Sequence, residues 1–215
     1  MSILVVAAHP DDEVLGCGGT LLTFVNEHIA VLFLTDGVSS RKGCTSKDIH
    51  NRVNLANRVA DETEWVNYHT ESMWGKDNQM DTVPLLRVVK SVEYIIGEVK
   101  PKIIFTHYEH DLNIDHRITY QAVVTACRPF KFPHVRGIYS FEIPSSTELS
   151  SIPFKPDTFV NITHTIDRKG KLFDIYNEDS PARNVASMRS LYSLRGNQSG
   201  CGYAEAFKTI RRSGV

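Results

Sequence analysis

The chain has 215 residues, 41% of them hydrophobic, with a mean hydropathy of −0.22, which suits one globular domain with a real core and would be tight for two. Its 24 lysines and arginines nearly cancel 25 aspartates and glutamates, so no basic excess exists to hold a phosphate backbone, and nucleic acid is not the expected partner. The start MSILVVAAHP shows no basic leader, no apolar run approaches the roughly 18–20 residues that cross a bilayer, and Cys17, Cys44, Cys127 and Cys201 form no C-x-x-C pair. A soluble cytoplasmic protein with reduced thiols and no transmembrane segment is expected, and nothing in the composition opposes a homo-oligomer.

SILVVAA is short and almost wholly apolar, as a parallel strand buried on both faces must be. Apolar positions from Glu13 to about His28 predict a helix, and IAVLFL (29–34) a second buried strand closed by Thr35, Asp36 and Gly37. The polar stretch 39–48 reads as an exposed loop, 48–62 as a helix and 64–69 as a third strand. Residues 83–99 form a helix pattern with Pro84 in the first turn, KIIFTH a strand, and His116 to Cys127 a further helix. Beyond these, GIYSFEI and YAEAFKTI read as strands and TIDRKGKLFDIY as a helix, with Ser180-Pro181 opening a last helix through Leu194. Alternation of this kind predicts an α/β fold: a Rossmann-like, mostly parallel sheet with helices on both faces, in a single domain over 1–215.

Two strand ends carry the chemistry. The first yields His9, Asp11, Asp12 and Glu13; the strand KIIFTH yields His107, then His110, Asp111, Asn113, Asp115 and His116. In a parallel sheet both loops open on one edge, so two imidazoles and a carboxylate can converge into a three-ligand Zn²⁺ site with a fourth position for water. A His-Pro-Asp turn needs no metal by itself, since proline fixes φ and aspartate caps helices. Here, however, a buried strand ends directly at the turn, and a cation would offset the crowding of carboxylates. A competing reading takes Gly16, Gly18, Gly19 and Asp36 as a dinucleotide cradle. It fails where G-x-G-x-x-G needs glycine and the chain has Leu21, and where Asp11, Asp12 and Glu13 would repel the phosphates.

The segments A-H-P-D-D-E (8–13), T-D-G (35–37) and D-L-N-I-D-H-R (111–117) resemble the PIG-L/LmbE family of zinc-dependent N-deacetylases. Further similarity in 77–86, 141–148, 154–160 and 195–207 extends it over nearly the whole chain, toward a bacterial branch associated with acetamido sugars in surface-glycan synthesis. The resemblance implies an LmbE-like fold, His9, Asp12 and His116 as metal ligands and Asp11 as general base; Asp115, next to a ligand histidine, is placed to orient an imidazole or balance charge near the metal. It also implies a GlcNAc-like substrate, nucleotide- or lipid-linked, with a small thiol or amine conjugate as the nearest alternative; the rival from another class is a nucleotide-binding module without hydrolytic activity.

One position departs from the family pattern: a histidine common there is Asn113 here, which can donate a hydrogen bond to an oxyanion but cannot deliver a proton. Protonated Asp11 is then the expected acid, with His110 or His107 as substitutes. Arg52 lies roughly where the family uses arginine for sugar or phosphate, although a solvated helix face explains it equally. Asp77, Asn78 and Asp81 form a polar cluster that could bind hydroxyls, with Asp81 also a candidate helix cap. Arg195, Gly196, Tyr203 and Glu205 carry no role derivable from sequence.

Overall fold

The computed structural model describes residues 1–70, 76–179 and 185–213. Seven strands form one sheet in the order β3-β2-β1-β4-β5-β7-β6. These are β1 Ser2–Ala7, β2 His28–Phe33, β3 Val66–His69, β4 Ile103–Thr106, β5 Gly137–Phe141, β6 Thr158–Asn161 and β7 Ala204–Arg212. The first five strands pair in parallel, whereas β7 runs antiparallel to both β5 and β6. The mostly parallel α/β sheet expected from the sequence is therefore what forms.

Alternate residues of β1 go to opposite layers. Ile3, Val5 and Ala7 join the core under α1 (Asp12–Leu21), α2 (Ser46–Thr63), α5 (Ile166–Asn177) and α6 (Val185–Ser199). Leu4 and Val6 join the core under α3 (Leu85–Val99) and α4 (Ile114–Ala126). This two-sided burial is why the strand lacks a polar alternation. Among the described residues no helix is long and apolar enough to cross a membrane.

The differences from expectation have local causes. α1 ends at Leu21 instead of running to His28, because Asn26 takes φ 65° and Val25, counted in the apolar pattern, is 75% exposed. Pro84 is the N-cap of α3 and not a residue of its first turn. α4 begins two residues before His116, because Asn113 caps it through its side chain. Strand β6 was not legible in FKPDTFV, being only four residues long and half-buried. Ser180 and Pro181 lie outside the described residues, and α6 runs past Leu194 to Ser199.

The order of strands reverses direction at β1, with β2 on one side and β4 on the other. The loops after β1 and β4 thus open side by side at the sheet's carboxyl edge, where such folds place their sites. Gly37, after β2, is needed there for two reasons: its φ is 70°, and a Cβ would stand 2.9 Å from that of His9.

Candidate metal centre and active-site cleft

The β1–α1 turn and the start of α4 bring three ligand atoms together. His9 Nδ1 lies 3.2 Å from Asp12 Oδ2 and 3.4 Å from His116 Nε2, and the latter two are 3.5 Å apart. Ligands of a tetrahedral zinc at about 2.0–2.2 Å sit roughly 3.3–3.6 Å from one another, so the donor set fits such an ion. All three residues are buried.

The outward nitrogens of both imidazoles meet carboxylates, as ligating histidines require for a fixed tautomer. His9 Nε2 is 3.1 Å from Asp115 Oδ2 and 3.3 Å from Asp77 Oδ1; His116 Nδ1 is 3.0 Å from Asp111 Oδ1. Asp115 is in turn held by the backbone N–H groups of Asn78 (2.7 Å) and Met80 (3.0 Å). Asp111 accepts from the hydroxyls of Ser146 and Thr147 and from Asn113 N–H. A second carboxylate group, His9 with Asp77 and Asp115, thus shares one imidazole with the first and serves it from behind.

Electrostatics follow from this crowding. Burial opposes charge on His9 and His116, but the facing carboxylates, Asp12 foremost, outweigh it and raise both above the usual imidazole range. Burial likewise opposes charge on Asp12, yet the three surrounding imidazoles hold it well below the ordinary carboxylate value. Asp111, despite burial, is brought down to about 2 by His116, Ser146 and Thr147. His107 is pushed down to about 4 by burial and by His116, and its Nε2 accepts the Ala8 N–H at 2.9 Å, so that nitrogen is already occupied.

Asp11 stands beside these candidate ligands with φ 125°, a conformation that side chains rarely adopt. Its backbone N–H is fixed by the buried carboxylate of Glu13 (3.0 Å), which also accepts Tyr176 Oη–H at 2.7 Å. Burial raises Glu13 to about 8. Asp11 Oδ2 receives Arg52 Nη2 at 2.8 Å, while Arg52 Nη1 donates to Asp179 at 2.9 Å and the guanidinium lies over the Tyr176 ring. Arg52 lines the cleft, but it is 2% exposed and committed to two carboxylates, unlike either the open anion ligand or the solvated helix face considered from sequence.

These groups head a cleft of about 630 Å³. Asp77, Asn78 and Asn113 line it, as expected, and Ser40, Arg41, Leu112, Ser145, Ser146, Phe173, Tyr176 and Asn177 complete it. Asn113 Oδ1 accepts the Asp115 N–H at 2.8 Å, which turns its amide nitrogen toward Asn78 Oδ1 and the cleft. Asp81 does not join them: it is exposed in a 3-10 turn outside the cleft and gives α3 no side-chain cap. His110 lies outside too, beside Glu109 at 3.7 Å, and His107 is fully buried, so neither substitute acid reaches the cleft. The glycines of the rejected dinucleotide reading are buried in α1, and two of them allow close packing: a Cβ on Gly16 would meet the Phe141 ring at 2.3 Å and one on Gly19 the Ile162 side chain at 2.9 Å.

Sequence reasoning missed Tyr176 and Asp179, which reach Glu13 and Arg52 across more than 120 residues of chain. Nothing local in FDIYNED, of which only FDIY was read as helix, marks them.

Fold and site together define an α/β protein with a candidate metal site at the loop edge of its sheet. Residues 4–127 match the model of the family described as "PIG-L: GlcNAc-PI de-N-acetylase", and the chain belongs to that family. Among curated relatives it is similar to YaiS, an uncharacterized deacetylase of Escherichia coli K12, with 28% identity over 74% of this chain and 81% of that one. It is also similar to a probable N-acetyl-α-D-glucosaminyl L-malate deacetylase of Bacillus cereus, 27% identical over 78% of each. The N,N'-diacetylchitobiose deacetylase of Pyrococcus horikoshii shares the fold, with TM-score 0.74 and 19% identity over 97% of this chain and 83% of that structure.

Proposed function

We propose that the protein is a zinc-dependent hydrolase that removes the acetyl group from an N-acetylated, GlcNAc-like amino sugar borne on a nucleotide or lipid carrier in surface-glycan synthesis. The observation that carries the reading is the triad of ligand atoms 3.2–3.5 Å apart at the head of an open cleft, with the Asp11 carboxylate beside it. The family's description and the sugar conjugate named for the Bacillus cereus relative support the substrate class. His9, Asp12 and His116 would hold the ion, which when bound would supply a Lewis acid and a water of lowered pKa.

The chain's own residues do the rest. Arg52 and the Glu13-fixed backbone hold the Asp11 carboxylate in one orientation, ready to take a proton from the attacking water. The Asn113 amide nitrogen, pointed into the cleft by its capping bond, donates to the oxygen that gains charge as the water oxygen bonds to the acetyl carbon. Asp11 then returns its proton to the nitrogen as the C–N bond breaks, giving acetate and a free amine. Asp77, Asn78 and Ser40 offer donors and acceptors to sugar hydroxyls.

Metal analysis with an acetate-release screen tests the proposal. We expect about one Zn²⁺ per chain, with acetate released from acetamido sugars, lost on chelation and restored by zinc. Metal-free protein that binds NAD would overturn it, and release confined to small thiol or amine conjugates would replace the sugar with the alternative substrate.

A further inference from the structure

A second cavity, of about 470 Å³, adjoins the cleft and shares Ser145 and Phe173 with it as walls. Its size is that of a small-molecule site. Where the cleft mixes imidazoles, carboxylates and amides with Leu112, Phe173 and Tyr176, this cavity is walled mainly by Leu15, Pro153, Phe154, Met188, Leu191 and Leu194. Three charged side chains border it, and each is already engaged. Arg195 is locked to Glu142 by two bonds of 2.7 and 2.6 Å, and Glu148 accepts the backbone N–H groups of Ser145 and Ser146 at 2.5 and 3.2 Å. With its cation so paired, the cavity offers little to a diphosphate. Leu149, Ile152 and Leu194, on the same loop and helix, are 62%, 47% and 52% exposed, an apolar surface beside this cavity on a molecule whose cleft is polar.

We infer that the cavity binds the apolar aglycone of the substrate, an alkyl chain on the reducing end of the acetamido sugar, while the cleft holds the sugar itself. The inference rests on the deacetylase reading of the cleft and selects a lipid-like carrier over a nucleotide. Ser145 and Phe173 wall both spaces, so the two adjoin, and in this inference one molecule spans them.

Two measurements on the zinc-loaded protein test it. Across methyl, butyl and octyl N-acetylglucosaminides, kcat/KM should rise about fourfold for each methylene that enters the cavity, and Leu194→Glu should bring the octyl-to-methyl ratio close to one. Leu194 is half exposed, so the charge is compatible with folding. Equal kcat/KM for methyl and octyl substrates, or an unchanged ratio in the variant, would overturn the inference; a gain from lengthening the N-acyl group instead would show that the occupant was misassigned. Octyl glucoside, which lacks the acetamide, should bind by calorimetry below its micelle concentration, and at least tenfold more weakly to Leu194→Glu. Should no glucosaminide be hydrolysed, the deacetylase reading falls and this titration still decides the cavity, since absent or unaltered binding there overturns the inference.

Discussion

Helix α1 carries a buried cluster of charge at each end, and the two are built on opposite plans. Toward its C-terminal end, Lys169 and Glu205 are both fully buried, and together they are neutral. Lys169 Nζ donates to Leu15 O (2.8 Å) and Glu205 Oε1 (2.5 Å) and lies 3.6 Å from the Tyr192 ring centre; Glu205 also accepts the N–H groups of Gly19 (2.8 Å) and Thr20 (2.6 Å). Those are amides within α1; the carboxylate accepts from both, and Leu15 O accepts from Lys169 and Tyr192. At the N-terminal end, Asp12, Asp77, Asp111 and Asp115 crowd around two imidazoles, and three ligand atoms converge at the head of the cleft. A buried cluster that closes on itself holds the fold together; one whose donors converge on a single point is shaped for an ion from outside.

The sharpest break in this comparison is Lys169→Met. Removing one partner of a buried pair leaves the other uncompensated, so we expect a loss of about 3–5 kcal/mol in chemical denaturation, partly recovered by adding Glu205→Gln. Protein still folded should retain its zinc, and loss of metal from folded chains would show that the clusters are not independent. Next comes the division of labour at the other end. Asp11→Asn should keep metal and, with Asp179 still facing Arg52, lose less stability than Lys169→Met, while turnover falls by on the order of 10²-fold or more, whereas Asp12→Ala should lose the ion itself. Equal metal loss in both would remove Asp11 from the role of base. Smaller again is Asp111→Asn, which takes the carboxylate from behind His116 and should weaken zinc affinity about 10–100-fold in a competition titration with a chelator.

How far the sequence reaches depends on the range of the interaction. His9 and Asp12 lie on one turn and His116 opens a helix behind a parallel strand, so local patterning and the geometry of a sheet edge bring them into view. The capping role of Asn113 is also local, a side chain meeting the amide two residues on. Asp77 behind His9, Asp179 behind Arg52 and Glu205 beneath α1 are pairings across 68, 127 and 186 residues, and no periodicity encodes them. The end of α1 was misjudged because spacing counts apolar residues without knowing that Val25 faces solvent. Arg52 shows the same limit: its position suggested a ligand contact, and only the packing of α5 shows that its charge is already shared.

The smallest expected effect concerns what joins the two clusters. Leu15 and Gly16 sit between them, and α1 can lie this close to the sheet only because Gly16 has no side chain where the Phe141 ring packs, 2.3–2.7 Å from the place a Cβ would take. In Gly16→Ala the ring or the helix must shift, at an overpacking cost of about 1–3 kcal/mol, set against the gain of alanine over glycine within a helix, about 0.5–1 kcal/mol. The net change in denaturation should therefore be a modest loss, well below that of Lys169→Met. Phe141 also meets His107 edge-on, and His107 stacks on His116 at 3.9 Å, so a displaced ring pushes toward a proposed zinc ligand. Gly16→Ala should accordingly lower zinc affinity together with stability, and adding Phe141→Leu, which makes room, should restore affinity before it restores stability. If affinity stayed at the wild-type value while stability fell, the packing under α1 would serve the fold alone.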